Sequence, residues 1–204
     1  MIDLETQKKW DSAAALYDFM RGFGPERRWR EAKTRLFSGM KGQILFLAVG
    51  TGLDIPCFPP GNQIVGIDIS AKMLEKAKRR SESYPGKMTL KQMDVHDMDF
   101  ADASFDQVYS SCTFCSVPDP VHGLKALRRV LKPGGKLGMF EHTGSRLFPF
   151  SLMLNAMNPV CRMLGPEMNR DTVANVRAAG FDVDKVTNIY LDVVKIIEAT
   201  APIE

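Results

Sequence analysis

The apolar run Ile44 to Val49 ends directly on Gly50-Thr51-Gly52, and that junction restricts the fold more than any other feature of the chain. A run this short, built from Ile, Leu, Phe, Ala and Val, suits a strand covered on both faces, as in a parallel sheet. Two glycines straight after it let the backbone turn tightly and pass close to a ligand, where a Cβ would collide. The pattern recurs. Gln63 to Asp68, Met88 to Met93, Phe105 to Ser110 and Lys136 to Phe140 read as further strands, and Val183 to Asn188 with Val193 to Ala199 as a final pair. Helical stretches lie between them. Ser70 caps Ala71 to Ser83, which turns Met73, Leu74 and Ala77 inward. Val121 to Leu131 turns Leu124, Leu127, Val130 and Leu131 inward, and Lys132-Pro-Gly-Gly135 is expected to stop it and turn the chain. Arg170 to Ala179, with Asn169 and Arg170 at its start, is closed by Gly180. Strands alternating with helices give an α/β fold: a mainly parallel sheet with helices on both faces.

A helical N-terminal arm precedes the first strand. It runs from about Leu4 to Phe37 and is broken at Gly22-Phe-Gly24-Pro25, where Pro25 suits the first turn of a second helix. Trp10, Ala13, Ala14, Tyr17 and Met20 recur at helical spacing and make one face apolar. The 204 residues fit one core, so a single domain over 1–204 is expected, with the arm in 1–40. A net charge of +3 neither requires nor excludes a nucleic-acid or anionic-membrane partner and falls short of the basic balance that flags a nucleic-acid-binding domain. Met1 to Trp10 lacks the apolar core of a signal peptide. The longest apolar tract, Leu147 to Leu164, is interrupted by Pro149, Asn155, Asn158, Pro159 and Arg162. A cytoplasmic protein with free thiols is the expectation. Cys112-Thr-Phe-Cys115 has the spacing of a redox or zinc pair, yet no second close pair completes a zinc site, so it reads as two buried strand-end thiols.

Ligands of open α/β sheets bind outside the carboxyl ends of the strands. At those ends stand Gly50 and Gly52, then Asp68 after the second strand, then Asp94 with Val95 after the third. A carboxylate at Asp68 can accept two hydrogen bonds from a ribose diol. An acceptor at Asp94 can take an adenine amino proton, with apolar neighbours over the ring. In this order and at these places they indicate an adenosine-type ligand. A dinucleotide fingerprint wants a third glycine three residues after Gly52; Ile55 stands there, followed by Pro56, so a diphosphate meets a poor cradle.

Ile44-Leu-Phe-Leu-Ala-Val-Gly-Thr-Gly-Leu-Asp54, Val65-Gly-Ile-Asp68, Asp94, Ser104-Phe-Asp-Gln-Val108 and Leu131-Lys-Pro-Gly-Gly135 resemble the successive motifs of class I S-adenosylmethionine (SAM) methyltransferases. The branch they resemble contains ubiquinone/menaquinone and bacterial phospholipid N-methyltransferases. Cys112-Thr-Phe-Cys-Ser-Val-Pro-Asp-Pro120 and Phe140-Glu-His142 look like the phospholipid-methyltransferase-like group and its thiol-methyltransferase relatives. The resemblance runs from about Trp10 to Ala201. It implies a Rossmann-like seven-stranded sheet and S-adenosyl-L-methionine as cofactor. Gly50, Thr51 and Gly52 would face its methionine part, Asp68 and Ile69 the ribose, and Asp94 with Val95 the adenine. Thr113 and Phe114 would lie near the reacting methyl, and Tyr17 would cover the cofactor. The chain departs from the family at Phe46, where an acidic residue is usual, and at Ala48, where glycine is usual.

The expected acceptor is a small molecule or lipid: an apolar thiol, a phospholipid amine or a quinol. His142, after the fifth strand, is the first candidate for a base, while Glu141 is as suited to holding backbone as to chemistry. Arg170 has a second reading, as a clamp on an anionic group. The acceptor pocket is expected from the arm and from Thr143 to Met168, whose Leu147, Phe148, Phe150, Leu152, Met153, Leu154, Met157 and Met163 are flanked by Arg146 and Arg162. Such a stripe reads first as core or pocket and second as peripheral membrane contact. The strand-four end, Ser110-Ser-Cys-Thr113, lacks the Asn/Asp-Pro-Pro-aromatic motif of enzymes that methylate nucleobase amines. Two alternatives remain: a nicotinamide-dependent oxidoreductase and a non-catalytic binding protein on the same fold. Asp68→Ala is expected to weaken SAM binding by at least about 1.4 kcal/mol, one order of magnitude in affinity; an unchanged dissociation constant in a folded variant would remove the ribose assignment.

Overall fold

The computed structural model describes residues 2–22, 25–164 and 166–203. Helices α1 (Leu4–Gly22) and α2 (Pro25–Phe37) form the arm, and Phe23 and Gly24 of the expected break lie outside the described residues. Then follow β1 (Gln43–Leu47), β2 (Gln63–Asp68), α3 (Ala71–Glu82), β3 (Lys87–Gln92), β4 (Phe105–Ser111), α4 (Pro120–Val130), β5 (Leu131–His142), α5 (Phe150–Leu164), α6 (Thr172–Ala178), β6 (Asp182–Tyr190) and β7 (Val194–Thr200). The strands form one seven-stranded sheet in the order β3-β2-β1-β4-β5-β7-β6. All pairs from β3 to β5 are parallel, and β7 lies antiparallel to both β5 and β6.

Alternation along β1 divides the core. Leu45 and Leu47 join one apolar cluster with Leu124, Leu127 and Val130 of α4 and Val176 of α6. Ile44 and Phe46 join the other, with Leu36 and Phe37 of α2, Ala77 of α3 and Leu154 of α5. A strand with period-two side chains and helices on both sheet faces must be apolar throughout, which is how it read as a sequence. Phe46 packs in an aromatic group, with ring centroids 5.5 Å from Phe37 and 4.7 Å from Phe58. Edge strand β3 carries exposed Lys87, Thr89 and Lys91, charges that discourage another chain from pairing there.

Helix starts follow local chemistry. Ser70 Oγ accepts from the Met73 N–H at 3.1 Å, and Asp119 caps α4 through the His122 N–H at 3.0 Å, with Pro120 in the first turn. Asp171 caps α6, so that helix begins at Thr172, and Asn169 and Arg170 lie before it. One segment differs from the sequence reading. Leu131 already pairs with Phe105, but the next partners are Lys136 and Gln107, so the Lys132-Pro-Gly-Gly135 turn bulges from within β5, with Gly134 at φ 73°. The tract around Leu147 to Leu164 forms helix α5, although Pro149, the asparagines and Pro159 signal interruption. Pro149 precedes the helix, and Pro159 lies inside it; an internal proline removes one backbone bond without preventing helix on either side.

Between β1 and β2 the described chain makes only a short 3-10 turn, Ile55–Cys57. The connection from β1 runs to β2 on one side, whereas β4 lies on its other side, so the strand order reverses between β1 and β4. At such a switch point the loops diverge and leave a crevice at the carboxyl ends. Phe46→Ala is expected to lower the unfolding free energy by about 3–5 kcal/mol, the usual loss for a buried aromatic, read as a lower urea midpoint; a loss below about 1 kcal/mol would show that the aromatic group collapses around the vacancy.

Candidate functional site

A cleft lies over that crevice. Its floor is Leu47, Ala48 and Gly50 after β1, Asp68 and Ile69 after β2, Met93 to His96 after β3, and Ser111 to Thr113 after β4. Asp3, Thr6, Trp10 and Tyr17 of the arm close it from above.

The β1 end turns through left-handed backbone: φ is 52° at Ala48, 58° at Gly50 and 84° at Gly52. A Cβ on Gly52 would stand 2.9 Å from the Ile55 side chain and 3.3 Å from the Ala77 backbone, so only glycine brings α3 this close. Ala48 holds a conformation unfavourable by roughly 1–2 kcal/mol for an L-residue, where a glycine would carry no such strain. Phe46 points away from the cleft into its aromatic group. Asp54 lies outside the lining and accepts from the buried Lys33 Nζ at 2.7 Å.

Asp68 is buried and accepts the Gly50 N–H at 2.8 Å and the Ser70 N–H at 2.8 Å. Burial pushes its carboxyl up to about 6 against those hydrogen bonds. Asp94 is also buried, and burial raises its carboxyl; the His96 N–H at 2.9 Å, the Asp3 N–H at 3.0 Å and the His96 ring at 2.8 Å outweigh that, so its pKa falls. His96 Nε2 lies 2.9 Å from the Asp119 carbonyl. His96, which carried no role in the sequence, therefore holds Asp94 in place. The signal was present: an Asp followed two residues later by a donor, at a strand end, forms an Asx turn.

The loop after β4 is built from beneath. Glu141 is fully buried, and its carboxylate accepts from Ser110 Oγ at 2.9 Å, the Thr113 N–H at 3.0 Å and the Phe114 N–H at 3.1 Å. Burial pushes its carboxyl up to about 7 against those donors. Arg170 donates to the carbonyls of Phe114 and Val117 and pairs with Glu167 at 3.0 Å, so it clamps protein backbone rather than an external anion. Cys112 has φ 52° and lines the cleft half-buried, whereas Cys115 is buried; only the second matches the reading of two buried thiols.

The arm is latched by carboxylates. Asp11 accepts from Ser70 Oγ at 2.5 Å, and Asp18 accepts from Thr51 Oγ1 and from Arg80 at 3.0 Å. Their seven-residue spacing puts both on the stripe of Trp10, Ala14 and Tyr17, a sign visible in the sequence that apolar counting passed over. Trp10 and Tyr17 meet edge to face, 6.3 Å apart.

Of the predicted site residues, Tyr17, Gly50, Asp68, Ile69, Asp94, Val95 and Thr113 line this one cleft. Thr51 and Gly52 lie just behind it, and Thr51 is engaged by Asp18. His142 ends β5 opposite Val194 and does not line the cleft. No described residue of 143–168 lines the cleft, and Leu147, Phe148, Leu152, Met153 and Met157 face outward. The Met163 side chain lies outside the described residues. Helix α5 packs on the sheet through Leu154, and its far side is left open.

The family described as "Methyltransferase domain" matches residues 45–139. A ubiquinone/menaquinone biosynthesis C-methyltransferase of Geotalea daltonii is 36% identical over 154 residues, covering 71% of this chain and 66% of the relative. A phosphatidylethanolamine N-methyltransferase of Cereibacter sphaeroides is 31% identical over 153 residues, covering 74% of this chain and 72% of the relative. About a third of each relative lies outside the match. The crystal structure of the [4+2]-cyclase SpnF superposes with a TM-score of 0.76 at 16% identity, over 98% of this chain and 96% of that one, a likeness of fold alone. The chain belongs to the class I SAM-dependent methyltransferase family.

The residues present fit that cofactor: a glycine turn, two buried strand-end carboxylates and apolar walls meet in one cleft. Asp68 accepts from a ribose diol only when ionised. SAM affinity is therefore expected to hold well above pH 6 and to weaken as the pH falls through about 6, with Asp68→Asn removing the dependence. Stability takes the opposite sign. A carboxyl raised on folding stabilises the fold most below its unfolded value, and that contribution disappears as the pH rises through about 6. Calorimetry of binding and of unfolding across that range reads both; parallel pH slopes would contradict the assignment.

Proposed function

We propose that this chain transfers the methyl group of SAM to a small apolar nucleophile, a thiol or a lipid amine. One observation carries the reading: Gly50, Asp68, Asp94 and Thr113 reach the same cleft from four strand ends, under Tyr17 and Trp10. Bound SAM supplies a methyl group activated by its sulfonium. Asp68 holds the ribose hydroxyls, Asp94 takes the adenine amino group, and Val95 covers the ring. The loop at Thr113, fixed by Glu141, sets the floor where the acceptor approaches. Tyr17 and Trp10 exclude water and press the reactants together.

The carboxylates of this lining, Asp3, Asp68 and Asp94, sit among the adenosine-binding groups, and His96 is bound to Asp94. An acceptor that arrives ionised or as a free base suits such a site, because its own lone pair forms the new bond to carbon while the S–CH₃ pair returns to sulfur. A thiolate ends as a thioether; a free-base amine ends as a methylated ammonium, which releases a proton to water. A free thiol ionises near pKa ~8.5, so a useful fraction is thiolate without help. The Cereibacter relative's name, an amine methyltransferase, accords with this order; the Geotalea relative's name keeps a quinol carbon as the third acceptor.

Transfer of labelled methyl from SAM to an apolar thiol, phosphatidylethanolamine vesicles and a reduced quinone tests the reading. Turnover of the thiol or the amine is expected. Tyr17→Ala should lower kcat/KM by about tenfold through lost closure, while His142→Ala, which lies off the lining, should leave kcat within about threefold. A large, kcat-only loss at His142 would restore it as the base. Turnover of the quinol alone, or no binding of SAM, would overturn the proposal.

A further inference from the structure

The protein itself takes up most of what the Asp94 carboxylate can accept. A carboxylate offers about four lone-pair sites, shared between its two oxygens. Oδ1 accepts twice from one residue, from the His96 N–H at 2.9 Å and from His96 Nδ1 at 2.8 Å. Oδ2 accepts the Asp3 N–H at 3.0 Å. What remains is on Oδ2, and Asp94 and His96 both line the cleft. Against the upward push of burial, the donors around Asp94 hold its carboxyl below the usual carboxylate range. It is therefore ionised and can only accept, so Nδ1 is the donor of the ring contact.

The ring is anchored in turn. Nε2 lies 2.9 Å from the Asp119 carbonyl, a bond it makes when it carries the second proton. Asp119 is the N-cap of α4. Gly123 lets that helix lie close to the loop after β3, where a Cβ on it would stand 3.2 Å from Val95 Cγ1. His96 thus bridges the end of β3 and the start of α4, with Asp94 gripped between its main chain and its ring.

That grip decides what Asp94 can read. Adenine presents an amino donor at C6 and an acceptor at N1. Hypoxanthine, its deaminated counterpart, presents a carbonyl oxygen at C6 and an N1–H. A carboxylate free to turn follows the donor from one position to the other and accepts either base. A carboxylate pinned on Oδ1 by two donors and on Oδ2 by a third keeps its open lone pair in one place, and there an oxygen at C6 meets lone pair against lone pair. A site built to bond a ligand's N–H rejects the ligand that lacks it, because its own buried polar group is left unpaired.

We infer that His96 is a positioning residue for cofactor selection: by fixing the Asp94 carboxylate it makes the cleft accept an adenine nucleoside and reject a hypoxanthine one. This rests on the SAM reading of the cleft, with the purine at Asp94.

Calorimetric binding of S-adenosylhomocysteine and of S-inosylhomocysteine, its hypoxanthine counterpart, to the full chain tests it with no methyl acceptor present. The native chain should favour the adenine compound by at least about a hundredfold. His96→Ala and His96→Phe both remove the ring donor, and each should lower that ratio by at least about tenfold; the urea midpoint shows that the variant is folded, and either folded variant suffices. His96→Asn puts an amide donor near the place of Nδ1 and should keep the ratio within about threefold of native. A merely structural role would weaken both ligands alike and leave the ratio unchanged in the donorless variants, which would overturn the inference. So would a native ratio below about threefold. No binding of S-adenosylhomocysteine by the native chain would overturn the cofactor reading itself, and the inference with it.

Discussion

At the carboxyl ends of parallel strands the backbone N–H groups run out of ladder partners, and here three buried carboxylates take them up. Asp68 accepts from Gly50 and Ser70, Asp94 from Asp3 and His96, and Glu141 from Thr113 and Phe114. Each ties a loop to the strand end beside it. Orphaned buried N–H groups are costly, so the loops have little freedom to take other paths. The same acids make the site polar where an adenosine ligand needs acceptors. Burial raises Asp68 and Glu141, while the His96 contacts keep Asp94 low. One arrangement therefore fixes the loops and sets the chemistry of the cleft.

The arm depends on that platform. Asp3 donates its N–H to Asp94, Asp11 holds the cap of α3, and Asp18 holds Thr51 and Arg80. The first contact falls on Asp94, which lines the cleft, and the others on residues that do not line it, so cover and platform are linked directly through Asp94 and otherwise from behind the site. Partly exposed ion pairs of this kind contribute little stability each, which suits a cover that must release product.

Two departures from the family are accommodated by packing. The carboxylate usual at position 46 is replaced by a ring in the Phe37 and Phe58 group, while Asp54 is committed to Lys33. Ala48 keeps the left-handed turn despite its Cβ, held by the β1 ladder on one side and the glycines on the other. The short 3-10 turn in place of a helix after Gly52 leaves no helix N-terminus for a diphosphate among the described residues, which weakens the oxidoreductase alternative.

The strands, the capped helices, the parallel core and the acids at the strand ends were legible in the sequence, because each rests on local signals: uninterrupted apolar runs, Ser70 as a cap, glycines where the backbone must turn. Those signals depend on neighbours within a few residues. Other features required the assembled structure. His96 acquires a partner only when Asp119 comes near, Asp11 and Asp18 matter only because α1 lies over α3, and Glu141 turns out to hold a loop 27 residues earlier in the chain. The apolar tract after β5 shows the limit most clearly. Its composition says only that it must be covered; whether the cover is core, acceptor or another surface is decided by which face the sheet leaves for it, and that is a long-range packing choice no local pattern encodes.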